Sequence, residues 1–246
     1  MVHVVLPALI PDIKRVYDSY FAAFHHDPMG EIMLNILFPG GNVNSPEFRE
    51  EHAKGTLAWW HQSDSQYTYK CVDTDNGDIV GMGLIDVILR RRSVEERAFQ
   101  GVPWLQGEAK ERAEKVLKPL HDMREQLFGD QQYIYAHVIG VLPEHQGKQA
   151  GAALAGWGLS FVDYTNLPMY FEASPSSVGL YEKLGYERLK ETIVHKAETL
   201  GTATDISVPL MVKMPKSAGG MSFYEWKEKG YPKFNAATPV SKKQKL

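Results

Sequence analysis

Val138-Ile139-Gly140-Val141-Leu142-Pro143-Glu144-His145-Gln146-Gly147-Lys148-Gln149-Ala150-Gly151-Ala152 is the segment from which the rest of the chain can be read. Its first four residues close an apolar, β-branched run that begins at Tyr133, which predicts a strand. Pro143 stops that run and Gly147 permits a sharp turn. From Ala150 to Tyr164 small and apolar residues predict a helix. A helix N-terminus presents unpaired N–H groups and about half a positive charge. It can hold an anion through the backbone alone, and Gly147, Ala150, Gly151 and Ala152 are small enough to let one approach. Lys148 adds a mobile positive charge. The same residues also suit a plain strand-to-helix turn that needs glycine only for chain reversal. Neither G-x-x-x-x-G-K-[ST] nor G-x-G-x-x-G occurs here, which argues against a nucleotide-binding loop.

On the N-terminal side, Val2 to Leu6 reads as a strand, and Pro11-Asp12 opens a helix with Ile13, Val16, Tyr20, Phe21 and Phe24 on one face. Pro28 to Ser45 is rich in Gly, Pro and Asn and reads as an ordered loop, before a helix that runs from Ser45-Pro46-Glu47 towards His61. Tyr67 to Asp73 and Ile79 to Leu89 are expected to be strands joined at Asn76-Gly77, a strong hairpin signal. Glu108 to Leu127 is helical in pattern, with Pro119 expected to kink or split it. On the C-terminal side, Met169 to Ala173 is a short strand and Ser176 to Leu184 a helix stopped by Gly185. Tyr186 to Leu189 and Val208 to Met214 are further strands. The expected fold class is α/β: a mixed, mostly antiparallel sheet with flanking helices. The expected division is one domain over residues 1–215, with an insert at about 90–131, and a tail over 216–246. That tail should pack on the domain through its aromatic residues and fray at its basic end.

Three segments carry a resemblance to a known family. Gln146 to Gly151 is similar to the central Q/R-x-x-G-x-G/A motif of the GNAT superfamily, with Gln149 in place of the first glycine. Tyr170-Phe171-Glu172-Ala173-Ser174 resembles the strand that follows in that family. Leu180-Tyr181-Glu182-Lys183-Leu184-Gly185-Tyr186 is similar to its [FL]-Y-x-[KR]-x-G-[FY] signature. The resemblance is strong from Tyr133 to Leu189, weaker from the N-terminus to about Pro215, and closest in look to the fungal-type small-molecule branch. It implies the GNAT acyl-CoA N-acyltransferase fold. It also implies acetyl-CoA as co-substrate, no metal, and direct transfer of acetyl to a small-molecule primary amine. The backbone of Ile139 and Val141 would then meet the acetyl group and pantetheine, and Gln146, Gly147, Lys148, Gln149, Ala150, Gly151 and Ala152 would form the diphosphate loop. Ser174 would hydrogen-bond the cofactor or serve its own turn. Gln149 places a side chain where close backbone approach is usual, so the alternative is a catalytically weak acyl-CoA-binding or regulatory protein on the same fold.

Such a transfer needs a base for the ammonium and an acid for the departing thiolate. Tyr181 matches the family's acid position, or is a core tyrosine. His137 is the candidate base, with Glu172 and Asp86 as rivals, because histidine titrates near neutrality. Strict period-two alternation would put Tyr133, Tyr135, His137, Ile139 and Val141 on one face. Phe38, Phe99, Pro103 and Trp104 either wall the acceptor site or pack the insert on the domain. Arg90-Arg91-Arg92 is a solvated edge, a partner for Glu95 and Glu96, or a contact for the 3′-phosphate of CoA. His25-His26-Asp27 has metal-ligating residue types without ligand spacing.

The 246 residues carry a formal net charge of −3, so no basic field invites nucleic acid. No window is apolar for long enough to span a bilayer. The one cysteine, Cys71, excludes an intrachain disulfide, reads as a buried thiol, and fits a reducing compartment. A cytoplasmic protein, monomer or homodimer, is expected, with a small-molecule amine as its partner and neither nucleic acid nor membrane.

Overall fold

The computed structural model describes residues 2–234. Its strands are β1 (His3–Pro7), β2 (Gln66–Asp73), β3 (Ile79–Ile88), β4 (Tyr133–Val141), β5 (Met169–Glu172), β6 (Glu187–His195) and β7 (Ile206–Lys213). They form one seven-stranded sheet in the order β1-β2-β3-β4-β5-β7-β6. Each neighbouring pair is antiparallel except β4 and β5. The helices are α1 (Ile13–His25), α2 (Pro28–Leu37), α3 (Pro46–Gln62), α4 (Val94–Arg97), α5 (Gly107–Phe128), α6 (Ala150–Thr165), α7 (Val178–Lys183), α8 (Ala197–Leu200) and α9 (Phe223–Glu228). This is the mixed, mostly antiparallel α/β sheet that the strand and helix patterns call for.

One face of the sheet is covered by α6. Tyr69, Cys71, Ile85, Ile134, Leu154, Val162 and Met169 form the core there. Trp157 of α6 stacks on Tyr69 with ring centroids 4.3 Å apart. Cys71 is fully buried, and burial with Asp73 beside it pushes its thiol up to about 11. The other face carries two layers. Val16, Phe21, Leu34 and Met82 bind α1 and α2 to one half. Phe128, Tyr133, Tyr170, Phe223 and Trp226 bind α5 and α9 to the other. The chain after β7 is therefore part of the core: Phe223 is fully buried, and the Tyr231 hydroxyl donates to the Leu127 carbonyl at 3.0 Å. The basic end expected to fray lies outside the described residues.

The structure departs from the sequence patterns at α2, α5 and β6. Pro28–Leu37 is a helix and not part of a loop. Asp27 caps it by accepting from the Gly30 N–H at 2.8 Å, and Pro28 suits its first turn, so the breaker residues mark its end and not an irregular segment. Ile36 is buried against α5, with Met29, Ile32 and Met33 packed on the same cluster, which supplies the tertiary stabilisation. Pro119 sits inside a continuous α5 and does not split it. Finally, β6 runs on to His195. Leu189, Ile193 and His195 are buried along it while Lys190 and Val194 are exposed, as on a one-sided edge strand.

Candidate functional site

β4 and β5 pair only at Ile134–Met169 and Tyr135–Tyr170. Past Tyr135 the edge of β4 that faces β5 has no strand partner among the described residues. The Leu142 N–H donates to the Val80 carbonyl at 2.9 Å, which fixes the phase of the β3–β4 ladder. Gly140 and Val138 then bond β3, and the N–H and C=O groups of Ile139 and Val141 point into the opening. Gln146 Nε2 donates to the Val141 carbonyl at 3.2 Å and ties the following loop to that edge.

The ladder carries one irregularity. Leu84 faces Val138 but Ile85 faces Ala136, so His137 is an extra residue on β4, a β-bulge. This corrects the expected alternation. Ile134, Ala136, Ile139 and Val141 pack towards α6, whereas Tyr133, Tyr135 and Val138 pack on the opposite face. His137 joins the second set, with its ring 4.3 Å from that of Tyr135. His137 and the side chains of Ile139 and Val141 therefore do not share a face, and meet only through the opening.

On the α6 face, the loop after β4 has the form expected of an anion cradle. Gly147 and Gln149 both adopt left-handed backbone, each with φ of 71°. The N–H groups of Gly147, Lys148, Gln149, Ala150, Gly151 and Ala152 reach no acceptor among the described residues. Ala150 is fully buried and docks α6, while Gly147, Lys148 and Gln149 are exposed. A non-glycine residue in the left-handed region costs roughly 1–2 kcal/mol, so Gln149 holds this turn under mild strain. The Arg90-Arg91-Arg92 run lies past the other end of β3, since Ile88 pairs with Tyr133 and Gly81 with Val141. It is thus remote from the loop; Arg90 pairs with Glu96 at 2.7 Å and Arg91 with Asp130 at 3.2 Å.

Tyr181 also lies on the α6 side. Its ring meets Phe171 edge-on at 4.5 Å and Tyr186 at 5.5 Å. Burial pushes its hydroxyl above the usual phenol range, so it keeps its proton at neutral pH. Ser174 uses its hydroxyl within its own turn, 3.0 Å from Ser177 Oγ and 3.3 Å from Ser176 Oγ.

The opposite face of the opening is lined by a polar cluster. His137 Nε2 lies 2.8 Å from Asp86 Oδ2. Burial alone would raise the Asp86 carboxyl, but His137, Arg124 and Arg92 together hold it below the usual range. The Tyr135 hydroxyl donates to Glu172 Oε2 at 2.8 Å, and Arg124 Nη1 reaches Glu172 Oε1 at 3.5 Å. The Arg124 guanidinium lies 4.1 Å from the Tyr135 ring centre. Burial and the adjacent Glu172 carboxylate push the Tyr135 hydroxyl far above its usual range, so it remains a donor. The structure thus brings His137, Asp86 and Glu172 together and adds Arg124 and Tyr135. Arg124 is one of many charged residues on α5 and carries no local signal; only the tertiary fold turns it inward.

The other sequence candidates take structural parts. Phe38 packs among Phe21, Phe48 and His52. The Trp104 indole N–H donates to the Leu37 carbonyl at 3.0 Å, and Phe99 meets His121 at 5.4 Å. These contacts bind the insert to α2 and α5. His26 bonds the Ala22 carbonyl, His25 lies beside Asn44, and Asp27 caps α2, so the three do not converge.

A family model described as Acetyltransferase (GNAT) family matches residues 31–186. The probable acyltransferase SID5 of Ajellomyces capsulatus is 35% identical over 122 residues, which cover 50% of this chain and 84% of that protein. Among solved structures, arylalkylamine N-acetyltransferase 2 from Aedes aegypti matches with a TM-score of 0.61 at 15% identity, covering 87% of this chain and 99% of that one. A polyamine N-acetyltransferase from Drosophila melanogaster matches with a TM-score of 0.60 at 14% identity, covering 87% and 100% respectively. Those two likenesses are of fold. On the sequence match over most of its length, the chain belongs to the GNAT acetyltransferase family and is an acyltransferase enzyme.

Proposed function

We propose that this enzyme transfers acetyl from acetyl-CoA directly to a primary amine of a small molecule. One observation carries the reading: a single opening between β4 and β5, with free backbone groups on one side and a titratable cluster on the other. The unpaired Ile139 and Val141 edge suits a pantetheine arm lying along β4 as an extra strand would. The amides of residues 147–152 and the dipole of α6 suit its diphosphate.

On the far side, His137 takes a proton from the arriving ammonium, directly or through one water, while Asp86 orients the ring and balances its charge. The nitrogen lone pair attacks the thioester carbonyl carbon, and the Ile139 N–H donates to the oxygen that gains charge. The C–S bond then breaks, Tyr181 gives its proton to the departing sulfur, and the second proton that the nitrogen sheds as the amide forms restores the Tyr181 hydroxyl through water. Glu172 is held by Tyr135 and Arg124, so its part is to position the wall and attract the cationic acceptor. The Aedes and Drosophila proteins, an arylalkylamine and a polyamine acetyltransferase by name, support a small amine as acceptor.

The test is thiol release from acetyl-CoA with a panel of amino acids, polyamines, arylalkylamines and aminosugars. Release with one class, well above hydrolysis, is expected. Stabilisation by CoA with no release across the panel would overturn the proposal.

A further inference from the structure

A second convergence of side chains lies at the β1 end of the sheet, outside the opening. His3 on β1 and Asp73 on β2 are direct antiparallel partners, so their side chains stand together on one face. Val5 and Cys71, one pair further along, lie in the α6 core, which places His3 and Asp73 on the α6 face. His145 comes over the same spot from the short turn Pro143–His145, between β4 and α6. One ring nitrogen of each histidine and one carboxylate oxygen of Asp73 all lie within 4.8 Å of one another.

His3 Nε2 and His145 Nδ1 are buried and make no hydrogen bond among the described residues. Asp73 is only 3% exposed, and its Oδ1 accepts from the Asp75 N–H at 3.0 Å. Leaving the two ring nitrogens buried and unpaired is costly. The three residues come from three distant segments, which rules out an accident of local sequence. They are too far apart to hydrogen-bond one another. An ion with bonds of about 2.0–2.2 Å would bridge them after shifts of about 1 Å.

We propose that His3, Asp73 and His145 bind one divalent transition-metal ion of the Zn2+ class, with water completing the tetrahedron. Two imidazoles and one carboxylate favour that class over Mg2+ or Ca2+, which prefer all-oxygen sets. The ion takes no part in acyl transfer. It clamps the β1–β2 edge to the turn whose next residue, Gln146, begins the diphosphate loop. Occupancy should therefore pre-order that loop, so that Zn2+ and CoA favour each other's binding. Only this coupling rests on the acyl-CoA reading; the ion site does not.

The experiment uses untagged full-length protein stripped with a chelator. Zn2+ is titrated by calorimetry, Co2+ by visible absorption, and melting is followed in parallel. One Zn2+ per chain, a tetrahedral Co2+ spectrum, and a Tm rise of about 5 °C or more at a hundredfold excess over Kd are expected. His3→Gln and His145→Gln should each weaken Zn2+ at least tenfold. The absence of saturable uptake by wild type would overturn the site, and so would uptake unchanged in both variants. If either variant fails to fold, the wild-type titration and the Co2+ spectrum still decide. CoA should bind several-fold tighter with Zn2+ present. Equal CoA affinity with and without bound Zn2+ would overturn the coupling and leave the site standing. CoA binding in neither state would count against the acyl-CoA reading instead.

Discussion

The α6 face of the opening is bordered by backbone: the amides of residues 147–152, the free edge of Ile139 and Val141, and side chains small enough to stay out of the way. The α5 face is bordered by Asp86, Arg124, Tyr135, His137 and Glu172, joined by hydrogen bonds and a cation stacked on a ring. A group shared by every reaction, such as a diphosphate, can be held by peptide units, which tolerate many sequences. An acceptor and its proton need particular side chains at particular distances. Substitutions should therefore divide by face: the α5 side through kcat, the α6 loop through the KM of acetyl-CoA.

The strongest test of this division is His137→Ala. It should lower kcat by about 100-fold or more, flatten the acidic limb of the pH–rate profile, and leave the KM of acetyl-CoA nearly unchanged. An unaltered acidic limb would pass the base role to Asp86 or Glu172. Asp86→Asn should cost roughly tenfold, because it disturbs the ring's orientation but spares the ring. Tyr181→Phe should lower kcat by roughly 10-fold while thiol release stays measurable; it is the one side chain of the α6 face expected to act on kcat. Equal kcat in the variant would remove the acid from that face altogether.

Gly151 probes the other half of the division. A Cβ there would lie 3.8 Å from Val141 Cγ2, an ordinary contact, so Gly151→Ala should fold and bind. Gly151→Val should raise the KM of acetyl-CoA roughly tenfold with little change in kcat, by crowding the anion's approach. A fall in kcat alone would break the division.

A separate acid sensitivity lies outside the opening. His52 lies in the aromatic cluster of α1 and α3, where burial and then Arg49 lower it to about 4. Its folded value is below its unfolded one, so the unfolded chain binds the extra proton. The associated stability is complete above about pH 6.5 and is lost as pH falls towards about 4. Unfolding free energies from urea titrations at pH 7 and 4.5 should differ by about 2–3 kcal/mol from this residue, and His52→Phe should remove that part of the difference. Gln149→Gly should have the smallest effect: relief of left-handed strain and a KM for acetyl-CoA at most a few-fold lower. A higher KM would show that the Gln149 side chain is itself a ligand.

The same contrast explains what could be read from the sequence. The loop from Gly147 to Ala152 and the Tyr181 helix announce themselves because strand, turn and helix start leave marks in consecutive residues. Asp75 to Asp78 does the same for its hairpin, where Gly77 takes φ of 78°. The α5 face does not. Arg124 sits in a helix full of charges, Asp86 is fifty-one residues from His137, and nothing in the composition of β4 reveals an extra residue. α2 was hidden for a different reason: Pro28 and Gly30 look like a loop until Asp27 is seen to cap them. His3, Asp73 and His145 are each ordinary in their own surroundings and meaningful only together.

The extra residue at His137 has one more consequence. A strand is read in twos, and a single insertion shifts the reading frame for everything downstream. Upstream of the shift, β4 offers its odd-numbered aromatics to α5; downstream, the odd-numbered Ile139 and Val141 turn to α6, and Gly140 comes against α1, where a Cβ would sit 3.3 Å from Ala23 Cβ. Deleting His137 would restore plain alternation and leave every other side chain of β4 on its present face, whereas deleting a second residue would turn one half of the strand inside out. Apart from that one residue, viable length changes in this strand should come in pairs, and libraries built to reshape the pocket should vary its letters and leave its count alone.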